Sequence, residues 1–328
     1  MLTDRRLLME PQANNALECE GTLNPAVVRG LDGHLYLFPR LVGAGNFSRI
    51  GICRVLFNAL GDPCGVERLG IALEPETDFE GNGKGVGGCE DPRITYLQPL
   101  RKFVMTYTAF SSRGPRIALA VSEDLLSWRR LGLVTFRAEQ GLDWDTVRNK
   151  DATLFPSPVL SPDGQPALAM LHRPTFSVTP AEQESIWISY RPLEASLTEF
   201  CRHTRLAGPE AAWEKVKIGS GAPPVLTRHG WLLIYHGVRE DGLGKLIYSA
   251  GLMLLAERDP RCVLYRSPEP ILAPLLLLER FGTVENVVFP TGIDRRDDLG
   301  TPDRFDVYYG MADSRIGVAR LDLPVGGF

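Results

Sequence analysis

The sequence predicts an all-β protein, a five-bladed β-propeller, from three observations. Glycine (33 residues) and proline (25) punctuate the whole length of the 328-residue chain. Between them lie short runs rich in Val, Ile, Tyr, Phe and Thr, with few long apolar stripes of helical period. One strand–turn–strand pattern also recurs every 60 to 70 residues or so, room for one four-stranded blade per repeat. Five copies, starting near residues 24, 91, 151, 222 and 286, fill the chain, so residues 1–328 read as a single domain without a linker.

The first copy runs from Asn24-Pro25 through a turn at Asp32-Gly33 to Leu35–Arg40. The second pairs Asp91–Tyr96 with Phe103–Thr108, and the third pairs Asp151–Pro156 with Ala167–Arg173 across a turn at Asp163-Gly164. In the fourth, Ala222–Leu226 turns at His229-Gly230 into Trp231–His236; in the fifth, Asn286–Pro290 leads by a longer link to Phe305–Met311. The segment Ser122–Trp128 is the one helix-like exception and reads as a packing turn at a blade edge.

Composition narrows the function. Lys plus Arg number 36 against 40 Asp plus Glu, a net charge of -4, and no basic block stands out. A nucleic-acid or anionic-membrane partner therefore has no electrostatic support. The six cysteines are dispersed, form no Cys-x-x-Cys pair and, with no apolar signal core near the N-terminus, suggest a cytoplasmic setting. Scattered histidines make a metal site unexpected, so no metal and no cofactor is predicted. The glycine-rich stretch Gly81–Gly88 lacks the Gly-Lys-Ser/Thr ending of a phosphate loop and reads as a lead-in to Asp91.

In an antiparallel hairpin the start of the first strand lies beside the end of the second. Each repeat should thus deliver two residues to one rim: Asn24 with Arg40, Asp91 with Tyr107, Asp151 with Arg173, Ala222 with His236, and Asn286 with the Asp313 region. A ring of carboxylates, arginines, amides and a histidine converges there. Pro92 fixes its own φ and is expected to push Asp91 into extended backbone, aiming its carboxylate. A positioned carboxyl suits glycosyl transfer, in which an acid protonates the leaving oxygen. An inverting hydrolase needs a second carboxylate about 6.5–9.5 Å away to activate water. A phosphorolytic enzyme needs a cationic cradle instead, for which Arg148, Asn149, Arg173 and His236 are the candidates, since guanidinium forks and amide donors fit phosphate. Trp144 and Tyr107 are candidates to stack on a sugar face.

Taken together, Gly87-Gly88-x-Glu90-Asp91-Pro92-Arg93, Arg148–Ala152, His172-Arg173-Pro174, Gly219–Pro224, Tyr235-His236-Gly237, Glu285–Pro290 and Tyr309–Asp313 resemble glycoside hydrolase family 130, the β-mannoside phosphorylases. The resemblance spans the chain from about Asn24 onward. It implies a five-bladed propeller that inverts at the anomeric carbon, with Asp91 as the single catalytic acid, its proton relayed through the mannosyl 3-hydroxyl. It implies phosphate held by Arg148, Asn149, Arg173 and His236, and sugar held by Asn24, Arg40 and Asp313, with Asp151 and Tyr107 as further contacts on the inferred rim. The reaction would convert a β-mannoside or mannooligosaccharide and inorganic phosphate to α-mannose 1-phosphate and a shortened acceptor. Members of the family are often multimeric, which makes a homo-oligomer an expectation. A glycosidase using Asp91, Asp151 and Glu285 is the alternative enzyme, and a non-catalytic sugar-binding propeller the alternative of another class.

Overall fold

A computed structural model describes residues 2–81, 87–139, 141–176 and 184–324. It is all-β and propeller-like, its sheets built from antiparallel hairpins in chain order. Gly21–Arg29, Leu35–Gly43, Phe47–Phe57 and Pro63–Leu73 form the first four-stranded unit. Gly87–Leu97, Lys102–Ser111, Gly114–Ser122 and Arg129–Leu133 form the second. These two join in one eight-stranded sheet, but only through a short parallel pairing of Phe47 with Gly87 and Ser48 with Gly88. The third unit comprises Arg148–Leu154, Pro166–Thr175, Ile186–Pro192 and Glu199–Ala207. In the fourth, Lys217–Ser220 and Val225–Thr227 both pair with Gly230–Glu240, followed by Leu246–Leu255 and Val263–Arg266. The last unit holds Val288–Arg295, Arg304–Met311 and Arg315–Asp322, and its outer strand is Thr3–Met9 from the far end of the chain. Among the described residues the strands form four hydrogen-bonded sheets, the eight-stranded one holding the first two units.

Apolar layers lie between consecutive units. Phe38, Ile50, Met105 and Ala118 join the first unit to the second; Val104, Leu119, Leu154 and Met170 join the second to the third. Leu171, Ile188, Leu233 and Met253 continue to the fourth, and Ile234, Leu252, Val307 and Leu321 to the fifth. Leu8, Val318, Leu37 and Val55 then close the fifth onto the first. Along Gly230–Glu240, Leu233 and Tyr235 enter one layer while Leu232 and Ile234 enter the next. Successive side chains point to opposite faces of a strand, and here both faces are buried. That is why these strands read as unbroken apolar runs.

Three units carry the same buried polar knot. Glu80 accepts from the Tyr107 hydroxyl (2.5 Å) and Arg130 Nε (2.9 Å); Glu214 accepts from Tyr235 (2.9 Å) and Arg266 Nη2 (2.6 Å). Glu279 likewise accepts from Tyr309 (2.8 Å) and Arg5 Nη1 (3.1 Å), with the arginine always on the unit's outer strand. Each glutamate also caps two backbone N–H groups just before it, so its burial leaves no lone pair wasted. In the first unit Pro39 stands at the tyrosine's place and Glu18 meets Arg68 directly. In the third unit His172 stands there, and its Nε2 lies 2.6 Å from Ser189 Oγ, which in turn lies 2.8 Å from His203 Nδ1.

This knot corrects the position expected for Tyr107. The second-strand residues in register with the strand starts are Arg40, Thr108, Arg173, His236 and Gly310, paired with Leu23, Glu90, Lys150, Gly219 and Phe289. Tyr107 is one residue short of that register, and a one-residue step reverses a side chain's face. Its ring therefore lies in the apolar layer and its hydroxyl on Glu80, away from Asp91. Tyr107→Phe should accordingly lower stability by about 1–3 kcal/mol, the cost of a buried carboxylate losing one donor. Denaturant titration reads that loss, and the KM for any sugar substrate should stay unchanged.

Candidate active site

The strand starts share an uncommon backbone. Asn24, Asp91, Asp151 and Asn286 have φ of 44°, 47°, 56° and 58°, in the left-handed region. Asn and Asp enter it more readily than other residues with a Cβ, which explains why the repeat begins with these two types. In the first three units the register slips at these positions, between Leu23 and Ala26, Glu90 and Arg93, and Lys150 and Thr153. These are bulges, and a bulge re-aims a side chain out of the pleat. The extended backbone expected for Asp91 is therefore corrected: Pro92 only disfavours the right-handed helical region for its predecessor, and the bulge sets the left-handed alternative.

Asp91 sits in a group of opposed charges. Asn24 Nδ2 donates to Asp91 Oδ1 at 2.8 Å, and Arg40 Nη1 donates to the same oxygen at 3.2 Å. Arg40 Nη2 reaches Glu90 Oε1 at 2.8 Å, and its Nε donates to Ser48 Oγ at 2.9 Å. Asp313 faces Arg40, Asp91 and Lys150, and burial, only partly offset by Arg40, pushes its carboxyl up to about 6. Burial also raises Glu90, against the pull of Arg40. Gly310 is required beside this group, because a methyl there would collide with Asn24 Oδ1.

A second group surrounds Asp151. Arg173 Nε donates to its Oδ2 at 2.5 Å, and His236 Nε2 lies 3.6 Å from the same oxygen. Burial alone would raise the Asp151 carboxyl, but Arg173, Arg93 and Lys150 hold it far below the ordinary carboxylate range. The other arm of Arg173 pairs with Glu184. His236 is fully buried, its ring 4.4 Å from that of Phe289. Neither of its nitrogens has a hydrogen-bond partner among the described residues. Burial, reinforced by Arg173, Arg93 and Lys217, keeps it neutral against the pull of Asp151. Lys217 approaches Arg173 and Asp151 with its ammonium 5.6 Å from the centre of the Tyr248 ring, and burial lowers its pKa. Gly219 leaves room for the arrangement, since a methyl there would strike both Asp151 and His236.

The two groups meet through Arg93. Its guanidinium, 1% exposed, donates to the backbone carbonyls of Asp91 (2.7 Å), Gly221 (3.1 Å) and Ser220 (3.4 Å) and lies 3.7 Å from Asp151 Oδ1. The Tyr248 hydroxyl feels charges of both groups, Lys150 and Asp313 as well as Arg173 and Asp151, and burial raises its pKa.

Of the residues that the sequence singled out, Asn24, Arg40, Asp91 and Asp313 thus form one cluster, and Asp151, Arg173 and His236 another. Arg148 is exposed and lies over Gly114 at a hairpin turn of the second unit. Asn149 is buried beside His172, its Nδ2 2.9 Å from the ring's Nδ1, at the head of the His172–Ser189–His203 chain. Trp144 packs in the interior against His203, Trp187 and Phe176. Glu285 is exposed and pairs with Lys245 at 2.7 Å. Residues 82–86 of the glycine-rich stretch before Asp91 fall outside the described residues. Sequence reasoning passed over Arg93, Lys217, Tyr248 and Glu184 as site residues. Arg93 stood in a quoted motif, whereas Lys217 in Lys-Ile-Gly-Ser carried no local signal.

A family model described as beta-1,4-mannooligosaccharide phosphorylase matches residues 8–324. The chain belongs to glycoside hydrolase family 130, and it is an enzyme of that mannoside phosphorylase family. It is 34% identical over 329 residues to a 1,2-beta-oligomannan phosphorylase of Thermoanaerobacter sp. (strain X514), covering 98% of this chain and 96% of the relative. It is 31% identical to a beta-1,4-mannooligosaccharide phosphorylase of Ruminococcus albus, over 70% of this chain and 61% of the relative. In fold it resembles the beta-1,2-mannobiose phosphorylase of Listeria innocua in complex with beta-1,2-mannobiose, with a TM-score of 0.75 and 22% identity, covering 96% of this chain and 94% of the other.

The raised Asp313 carboxyl gives a test that needs no substrate. Its ionised form is disfavoured in the folded state, so stability is lost as pH rises from about 3.8, its ordinary value, through about 6. Asp313→Asn should therefore unfold at a higher temperature than the wild type at pH 7.5. The difference should shrink on acidification and vanish below pH ~4, as scanning calorimetry across that range will show.

Proposed function

We propose that this protein catalyses inverting phosphorolysis of β-mannosides, with Asp91 as general acid and phosphate held beside Arg173, His236 and Lys217. Phosphate attacks the anomeric carbon, the bond from that carbon to the bridging oxygen breaks, and the Asp91 proton passes toward the leaving oxygen. The products are α-mannose 1-phosphate and the shortened acceptor. Asn24, Arg40 and Asp313 would hold the mannosyl unit. The observation that carries this reading is the Arg93 bridge, which ties the backbone carbonyl of Asp91 to Asp151 in the Asp151–Arg173–His236 group.

The charge states support the division of labour. Asp151 is held so firmly anionic that it serves as an anchor for Arg173 rather than as a base. A buried, neutral His236 with free ring nitrogens can donate to a phosphate oxygen from one of them, and such unpaired buried groups are otherwise costly. The three-carboxylate glycosidase gains nothing from these positions, with Asp151 clamped and Glu285 exposed on Lys245. Arg148, exposed over the Gly114 turn, stands apart from the Asp151 group, and Asn149 would act through His172 and the neighbouring Arg173. The relative matched over nearly the whole chain acts, by its name, on 1,2-β-oligomannan, so β-1,2-mannooligosaccharides are the first substrates to try.

Sugar products measured with and without inorganic phosphate decide the reaction class. α-Mannose 1-phosphate formed only with phosphate supports phosphorolysis, and free mannose formed equally without it contradicts that. Asp91→Asn should lower kcat by about 10²–10⁴-fold, the usual worth of a positioned acid. Arg173→Ala should raise the KM for phosphate by about 10–100-fold, the loss of one charge-assisted contact. Initial rates across a phosphate series check both.

A further inference from the structure

Arg173 already holds two carboxylates. Its guanidinium, 3% exposed, gives Nε to Asp151 Oδ2 at 2.5 Å and Nη1 to Glu184. An arginine grips an oxyanion best through two parallel N–H groups on one edge of its fork. With Nε committed to Asp151, the edge left for phosphate is the one formed by Nη1 and Nη2, and Glu184 lies on it.

The two carboxylates are held very differently. Asp151 is 1% exposed, its backbone carbonyl accepts from Ser220 Oγ, and its Oδ1 lies 3.7 Å from Arg93. The Glu184 side chain keeps 25% of its surface exposed, and besides Arg173 only Thr175 Oγ1 donates to it, at 3.2 Å, among the described residues. Its backbone is fixed, because Ile218 N donates to the Glu184 carbonyl at 3.0 Å. The carboxylate can therefore swing to water about its own side-chain bonds while the chain stays in place. Charge points the same way. Buried His236 feels three cations, Arg173, Arg93 and Lys217, and the single carboxylate of Asp151, which leaves two positive charges unanswered. Glu184 cancels one of them, whereas a phosphate dianion cancels both.

We propose that Glu184 is an internal anion that competes with phosphate: it takes the Nη1 arm of Arg173 before phosphate enters and yields it by side-chain rotation when phosphate binds. Glu184 thereby sets the phosphate concentration that the enzyme needs and leaves the chemical step to other groups. This rests on the assignment of Arg173 to the phosphate site.

Glu184→Gln keeps the shape and removes the charge, and Glu184→Ala removes the competitor outright. The first readout is phosphate binding without sugar, by isothermal titration calorimetry on the full-length protein. The second is kcat and the two KM values in phosphorolysis of β-1,2-mannooligosaccharides. The phosphate dissociation constant and the phosphate KM should both fall by about 10-fold, as when a site open about one-tenth of the time becomes open throughout. The kcat and the sugar KM should stay at their wild-type values. A residue that merely braced Arg173 would give the reverse, weaker phosphate binding and a lower kcat. An unchanged or larger dissociation constant in Glu184→Gln overturns the inference; should that variant fail to fold, the same result in Glu184→Ala does so. The assignment beneath it has a separate check. Wild-type phosphate binding that Arg173→Ala leaves intact overturns the phosphate site itself, whatever the Glu184 variants do.

Discussion

One buried guanidinium holds the site together. Arg93 starts on the second unit, bonds the backbone of Asp91 two residues earlier, crosses to the carbonyls of Ser220 and Gly221 on the fourth unit, and faces Asp151 on the third. An arginine at 1% exposure is unfavourable unless its donors are met. Here they are met by groups that the catalytic proposal needs at fixed separation. Burial lowers the Arg93 pKa while Asp151 and Asp91 raise it, so the contacts and the charge sustain each other. Removing this side chain would leave Asp151 with a weaker cationic surround and free the bulge that carries Asp91.

The ring of apolar layers makes such a crossing possible. Each unit packs on its neighbours through both faces, and the outer strand Thr3–Met9 closes the last unit onto the first. Strand starts distant in the chain therefore face one another across a small space. The Glu–Tyr–Arg knots lie one residue outward from the functional register and anchor the outer strand of three units. The third unit replaces its knot with the Asn149–His172–Ser189–His203 chain. With His172 accepting at Nδ1 from Asn149, its Nε2 donates to Ser189, which donates to His203 Nδ1, and His203 Nε2 donates to the Arg137 carbonyl at 2.9 Å. Burial lowers both histidine pKa values, consistent with a neutral pair. This is the unit that carries Asp151 and Arg173, with Arg173 next to His172 in the chain and in register with Lys150.

Much of this was legible in the residues. The Asn/Asp strand starts, their spacing and the apolar runs pointed to a propeller-type fold and brought Asn24, Arg40, Asp91, Asp151, Arg173, His236 and Asp313 into consideration together. What failed did so for identifiable reasons. Tyr107 was misplaced because a bulge shifts register by one residue, which no period-2 pattern reveals. The left-handed turn at Asp91 was missed because the constraint from Pro92 is local and the bulge is not. Lys217 and Glu184 enter through contacts between different stretches of chain, and Thr3–Met9 joins a sheet whose other strands lie some 280 residues away or more. Such partners leave no mark on local sequence.

The most direct measurement is a crystal structure of the wild-type protein soaked in inorganic phosphate. An oxyanion seated against Arg173, Lys217 and His236, on the side facing the Asp91 carboxyl, is the predicted result. Phosphate bound elsewhere, with His236 and Arg173 left as they are without it, would contradict the account.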